Sequence, residues 1–132
     1  MPIELLGKEV RFLIPTGRNT DKRGHEFEVW QWLDDAMNRE FSAGWQQSAM
    51  LRVADRVSGG IKGRWFDKEN DEAVVDNSVE YVVAISVERM PALIELFDQI
   101  CTRFDQKCLY FASAGDAALY FPTTMTDPSE HE

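Results

Sequence analysis

The chain is poor in the side chains that usually do covalent or metal chemistry. Its 132 residues include two cysteines, Cys101 and Cys108, and two histidines, His25 and His131. The cysteines form no Cys-x-x-Cys pair, so a zinc constellation is excluded and no metal is expected. They read as small buried hydrophobes of a reducing compartment, and their spacing allows a bridge only across a tight turn. No apolar run approaches the roughly 20 residues of a membrane span. Basic residues are also scarce, 14 against 23 acidic, for a net charge of −9. A nucleic-acid partner is disfavoured, because phosphate binding needs a cationic footprint. The start, "MPIELLGKEV", lacks a basic n-region and carries Glu4 and Glu9, so no signal peptide is read and a cytoplasmic location is expected.

What is present is an ordinary globular composition, 44% hydrophobic and 28% charged. The length suits one domain able to bury a core. Residues 9–14, "EVRFLI", alternate with Val10, Phe12 and Ile14 on one side, which predicts a strand ended by Pro15. Residues 25–41 carry Phe27, Trp30, Leu33, Met37 and Phe41 at helical spacing. Residues 45–57 fit both periods, and a short helix is favoured there. Residues 61–67, "IKGRWFD", read as a strand, and "KENDE" as a reversal. Residues 79–87, "VEYVVAISV", are apolar on both faces, the mark of a central strand whose second face, Val82 and Ala84, needs cover. Pro91 suits a helix first turn, and Leu93, Phe97, Ile100, Cys101 and Phe104 give that helix its stripe. Residues 107–112 form a last strand, Ala114-Gly115-Asp116 turns, and residues 117–121 return as a short edge. The polar tail, 122–132, is expected to fray.

The order strand, helix, strand, strand, helix, strand is that of a ferredoxin-like α+β domain over residues 1–121. It is a split β-α-β with an antiparallel sheet and both helices on one face. The bare face then predicts a homo-oligomer.

Three segments carry a resemblance: "GRW" of Gly63, Arg64 and Trp65 with Asp67; "VDNS" of residues 75–78; and "RFDQKCLYF" of residues 103–111. From Phe41 onward the chain resembles a group of small uncharacterised bacterial proteins of ferredoxin-like fold. In those proteins a G-x-W strand, an acidic or serine turn and an F-x-Q strand entry recur in that order. The chain departs from them between Gly44 and Gly63, where it is longer. The resemblance implies a fold and no catalytic residue.

Candidate sites follow from residue types. Six residues separate Gly17 from Gly24, and His25-Glu26 follows, so the stretch "PTGRNTDKRGHEFEVW" is no P-loop. It sets Arg18, Lys22 and Arg23 against Asp21 ahead of a helix, with His25 following. That pattern is a candidate anion site, against the plainer reading of a solvated connection. Arg64, Trp65 and Asp67 are candidates to line a ligand pocket. Trp30 reads as core, and Trp32 as partly exposed. Loss of Met1 would free the Pro2 amine, which some tautomerases use as a base with arginines nearby, here Arg11 or Arg39. Against this, Gly7-Lys8-Glu9 interrupts the strand. Asp34-Asp35 and Asp71-Glu72 read as solvated acids, and Ser78 and Ser113 lack triad partners.

The expectation is a homo-oligomeric module that binds a small ligand, an anion among the candidates, or a protein, with no cofactor. The alternative is a cofactor-independent enzyme, either of the Pro2 kind or of the dimeric α+β-barrel type.

Overall fold

A long first strand, β1 (Ile3–Pro15), places Val10, Phe12 and Ile14 on one side, all fully buried. The structure, a computed structural model, describes residues 2–42, 44–48, 50–53, 56–69 and 71–120. The tail expected over 122–132 lies outside them. Then come α1 (Phe27–Glu40), β2 (Trp45–Gln47), β3 (Met50–Val53), β4 (Arg56–Gly59), β5 (Ile61–Asp67), β6 (Glu72–Ile85), α2 (Met90–Arg103) and β7 (Tyr110–Tyr120). The protein is an α+β structure with an antiparallel sheet and two helices. No described helix is long and apolar enough to cross a membrane.

The main sheet runs β2-β6-β1-β7, with β5 also on β6. β6 is long enough to hold two neighbours on one edge. Residues 72–78 pair with β5 and residues 81–83 with β2. β1 pairs antiparallel with both β6 and β7. Phe12 lies opposite Tyr81 in this register, and their rings stack at 5.2 Å. Both helices contact this same face, α2 through Phe97 edge-on to Phe12 at 5.1 Å and α1 through Asp34 to the Tyr81 hydroxyl. Val79, Val83 and Ile85 of β6 join Trp30, Leu33, Met37, Leu93 and Ile100 in one core. Each such side chain contributes about 1.5–3 kcal/mol by leaving water.

Local chemistry accounts for the ends of α2. Pro91 sits in its first turn, where a missing N–H costs nothing. At the other end Asp105 takes a left-handed conformation, φ 49°, and Gln106 N–H donates to the Cys101 carbonyl at 2.9 Å. That six-to-one bond is the Schellman closure, here made with aspartate in place of glycine.

Three expectations need correction. The described residues of 45–57 form strands rather than a helix: β3 and β4 pair antiparallel, Met50 opposite Gly59, and Trp45 lies opposite Val83. Residues 45–48 instead bond to β6, with Ser48 N–H on the Glu80 carbonyl at 2.8 Å. The turn at Ala114-Gly115-Asp116 is absent: β7 continues from Tyr110 to Tyr120 against β1, with a register shift between Ser113 and Asp116. Gly7 does not interrupt β1 either. The strand passes through it as a bulge, φ 116°, with its Cα packed against the Ile85 carbonyl.

Candidate functional site

The 15–25 loop is a closed knot of its own hydrogen bonds. Gly17 and Gly24 form a bridge, and Arg18 N–H donates to the Arg23 carbonyl at 2.8 Å. The end of α2 plugs into it. Asp105 Oδ2 accepts the Thr20 hydroxyl at 2.6 Å and the Thr20 N–H at 2.9 Å, and the Asp105 carbonyl accepts Asn19 N–H at 2.8 Å. Gln106 Nε2 donates to the Gly17 carbonyl at 2.9 Å. The Thr20 hydroxyl and then its N–H hold the Asp105 carboxyl below the usual aspartate range, with help from Arg18.

Of the basic residues proposed as an anion site, Arg18 faces Asp21 at 3.6 Å and Asp105 at 3.8 Å. Arg23 N–H is taken by Asp21 Oδ1, while Lys22 is exposed at a left-handed turn position, φ 62°. Asp21 of the loop and Asp105 of the α2 end thus already face the Arg18 guanidinium, and Asp21 takes the Arg23 backbone N–H. His25 is a core residue, 4% exposed. Its Nε2–H donates to the Pro15 carbonyl at 2.9 Å, and its ring meets the Phe104 and Trp30 rings at 4.9 and 5.7 Å.

Arg64 is exposed on β5, opposite Val75. Trp65 and Asp67 follow on the same strand, opposite Val74 and Glu72; their side chains lie outside the described ones. Pro2 is exposed just ahead of β1. Arg11 lies further along that strand, roughly 25–30 Å away at about 3.3 Å per residue, so the two do not meet within one protomer. Arg11 instead pairs with Glu9 at 3.1 Å and lies 4.0 Å from Glu80, and Arg39 lies 3.5 Å from Glu40.

The sheet face turned away from the helices is a mosaic. Leu13, Val82, Ala84 and Ala112 are half-buried there, Tyr110 is 65% exposed, and Arg11 stands among them with its glutamates. The register aligns Tyr110 with Leu13 and Glu80, and Ala112 with Arg11 and Val82.

Sequence reasoning missed a polar cluster under the helix face. Asp34, read as a solvated acid, is half-buried and accepts at Oδ1 from the Tyr81 hydroxyl and from Gln47 Nε2, both at 3.1 Å. Gln47 also donates to the Tyr81 oxygen at 2.7 Å, and Trp45 stacks on the Tyr81 ring at 5.9 Å. Burial raises the Asp34 carboxyl above the ordinary aspartate value despite those donors, and burial with the Asp34 charge pushes the Tyr81 phenol up. One signal was available: a tyrosine amid the apolar residues of a central strand must find a partner for its hydroxyl. Trp32 is half-buried as expected, with the Arg103 guanidinium 4.4 Å above its ring.

The cysteines depart from expectation: Cys101 is half-buried and Cys108 exposed. Among the described residues no group of three or more His, Cys, Asp or Glu is placed to hold a metal. The fold and these groups define a class, an α+β protein with a polar-apolar open sheet face. Comparison of the chain with protein-family models, curated proteins and solved structures returned no match.

Proposed function

We propose that the protein is a cytoplasmic, ferredoxin-like binding module that pairs with a second copy through its open sheet face and serves as a protein-interaction unit. The strand order β7-β1-β6-β5, with a helix in each of the two crossovers, supports the ferredoxin-like assignment. It also suits the resemblance to small bacterial proteins of that fold. The observation that carries the functional reading is the make-up of the face around Arg11. Half-buried Leu13, Val82 and Ala84 lie beside a half-exposed arginine flanked by two glutamates. A patch holding both signs of charge around an apolar strip can be complementary to itself across a twofold axis.

A protein partner is favoured over a small anion because Arg18 and the backbone of the 15–25 loop already have partners within the chain. The tautomerase-like alternative draws no support from Arg11, which is remote from Pro2 and engaged by Glu9. Native mass spectrometry and light scattering of wild type and Val82→Glu test the proposal. The wild type is expected to be a dimer, and the variant a folded monomer. A wild-type monomer across the micromolar range overturns the reading.

A further inference from the structure

Cys101 and Cys108 lie on either side of the knob that plugs the 15–25 loop. The Schellman closure folds the chain back at that point, with Gln106 N–H on the Cys101 carbonyl at 2.9 Å and Phe104 N–H on the Ile100 carbonyl at 2.8 Å. Only Lys107 then separates Gln106 from Cys108. The chain therefore reverses between the two cysteines, as a bridge over this spacing requires. Cys108 is exposed and Cys101 half-buried. The two thiols are also near enough to interact electrostatically: burial pushes the Cys101 thiol up, and Cys108 adds to that effect.

We propose that Cys101 and Cys108 form a reversible dithiol–disulfide site that takes low-molecular-weight disulfides, of the glutathione-disulfide class, as its oxidant. The exposed Cys108 attacks first, as a thiolate, on one sulfur of RSSR. A Cys108–S–SR bond forms, and RS⁻ leaves and takes up a proton. Cys101 then loses its proton to solvent and attacks the Cys108 sulfur, expelling a second RS⁻. The pair of protein thiols loses two electrons and two protons to become the Cys101–Cys108 disulfide, and RSSR becomes two RSH. The bridge closes across the segment holding Asp105, so it ties the end of α2 to the entry of β7 at the point where Thr20 is anchored. A labile bond of this kind is the form expected for a disulfide in a reducing compartment.

The test treats the reduced full-length protein with excess oxidised glutathione, followed by intact mass and peptide mapping without reductant. The expected product is two hydrogens lighter than the reduced chain, with peptides containing Cys101 and Cys108 linked, in several-fold excess over any adduct. Cys101→Ser is expected to stop at a single glutathione adduct on Cys108. Wild type that accumulates glutathione adducts, forms covalent dimers or stays unreacted overturns the proposal. The wild-type result decides even if the variant fails to fold.

Discussion

The Tyr81 hydroxyl donates to Asp34 Oδ1 at 3.1 Å, and Gln47 Nε2 donates to both oxygens, so three elements share one polar cluster. Tyr81 comes from β6, Asp34 from α1 and Gln47 from β2. Through these bonds the short β2 strand is held both by the sheet and by the helix above it. Tyr81→Phe removes the central hydroxyl while keeping the ring on Phe12 and Trp45. The expected cost is about 1–2 kcal/mol in urea unfolding, because Gln47 and Asp34 each lose a partner in a partly dry site. A change within error would mean that water replaces the hydroxyl.

The same cluster sets a pH dependence. The Asp34 carboxyl is raised in the folded chain by burial, so the folded state holds its proton more tightly than the unfolded one. Stability from this group is present in full below the unfolded aspartate value and declines as pH rises through the folded one. Asp34→Asn is expected to remove that decline. Its stability curve should be flatter than wild type on the alkaline side of the ordinary aspartate range, as read by thermal melts at stepped pH. An identical profile in the two proteins would refute it.

Asp105 has the opposite sign. Its carboxyl is held low by the Thr20 hydroxyl and N–H, so its contribution is present in full above the unfolded aspartate value of about 3.9 and is lost as pH falls from there through the lower folded value. Acidification should release Thr20 before the core opens. Amide exchange is the measurement: Thr20 is expected to lose protection at a higher pH than the centre of β6, and Asp105→Asn should show weakened protection at neutral pH. Equal loss at both places would show that the loop is held by other contacts.

His25 is a packing residue whose Nε2–H donates to the Pro15 carbonyl. His25→Ala leaves a void between Trp30 and Phe104 and an unpaired Pro15 carbonyl, at an expected cost of about 2–4 kcal/mol. His25→Phe keeps the ring contacts and should recover more than half of that loss. If phenylalanine is as damaging as alanine, the hydrogen bond to Pro15 outweighs the packing.

Gly7 and Gly44 separate strain from crowding. Both have positive φ, 116° and 148°, but a Cβ at Gly7 would collide with the Ile85 carbonyl, whereas nothing lies within 4 Å of one at Gly44. Gly44→Ala is expected to cost about 1–3 kcal/mol of backbone strain. Gly7→Ala should exceed it by about another 1–3 kcal/mol of overpacking, seen as a larger drop in denaturant midpoint.

Local pattern alone determined much of this protein. The period-two run through Val10, Phe12 and Ile14, the helical stripe from Trp30 to Phe41 and Pro91 in a first turn each specify an element without reference to the rest of the chain. Such signals record which side of a segment is apolar, and burial then makes them come true. They do not record the partner. Ala49, Val53 and Val57 fit a helical face while Ala49, Leu51 and Val53 fit a strand face, so the described residues of 45–57 were decided by the free edge of β6, which offers backbone bonds to Trp45 and Ser48, and by the pairing of β3 with β4. Ala114-Gly115-Asp116 reads locally as a turn, yet β1 pairs with β7 on both sides of it, and the chain passes through with a register shift instead of reversing. Asp34 and His25 look solvent-facing or ligand-ready in one dimension. Only tertiary structure puts Tyr81 under the first and the Trp30 and Phe104 rings around the second, because the fate of a polar group depends on donors and acceptors far away in sequence.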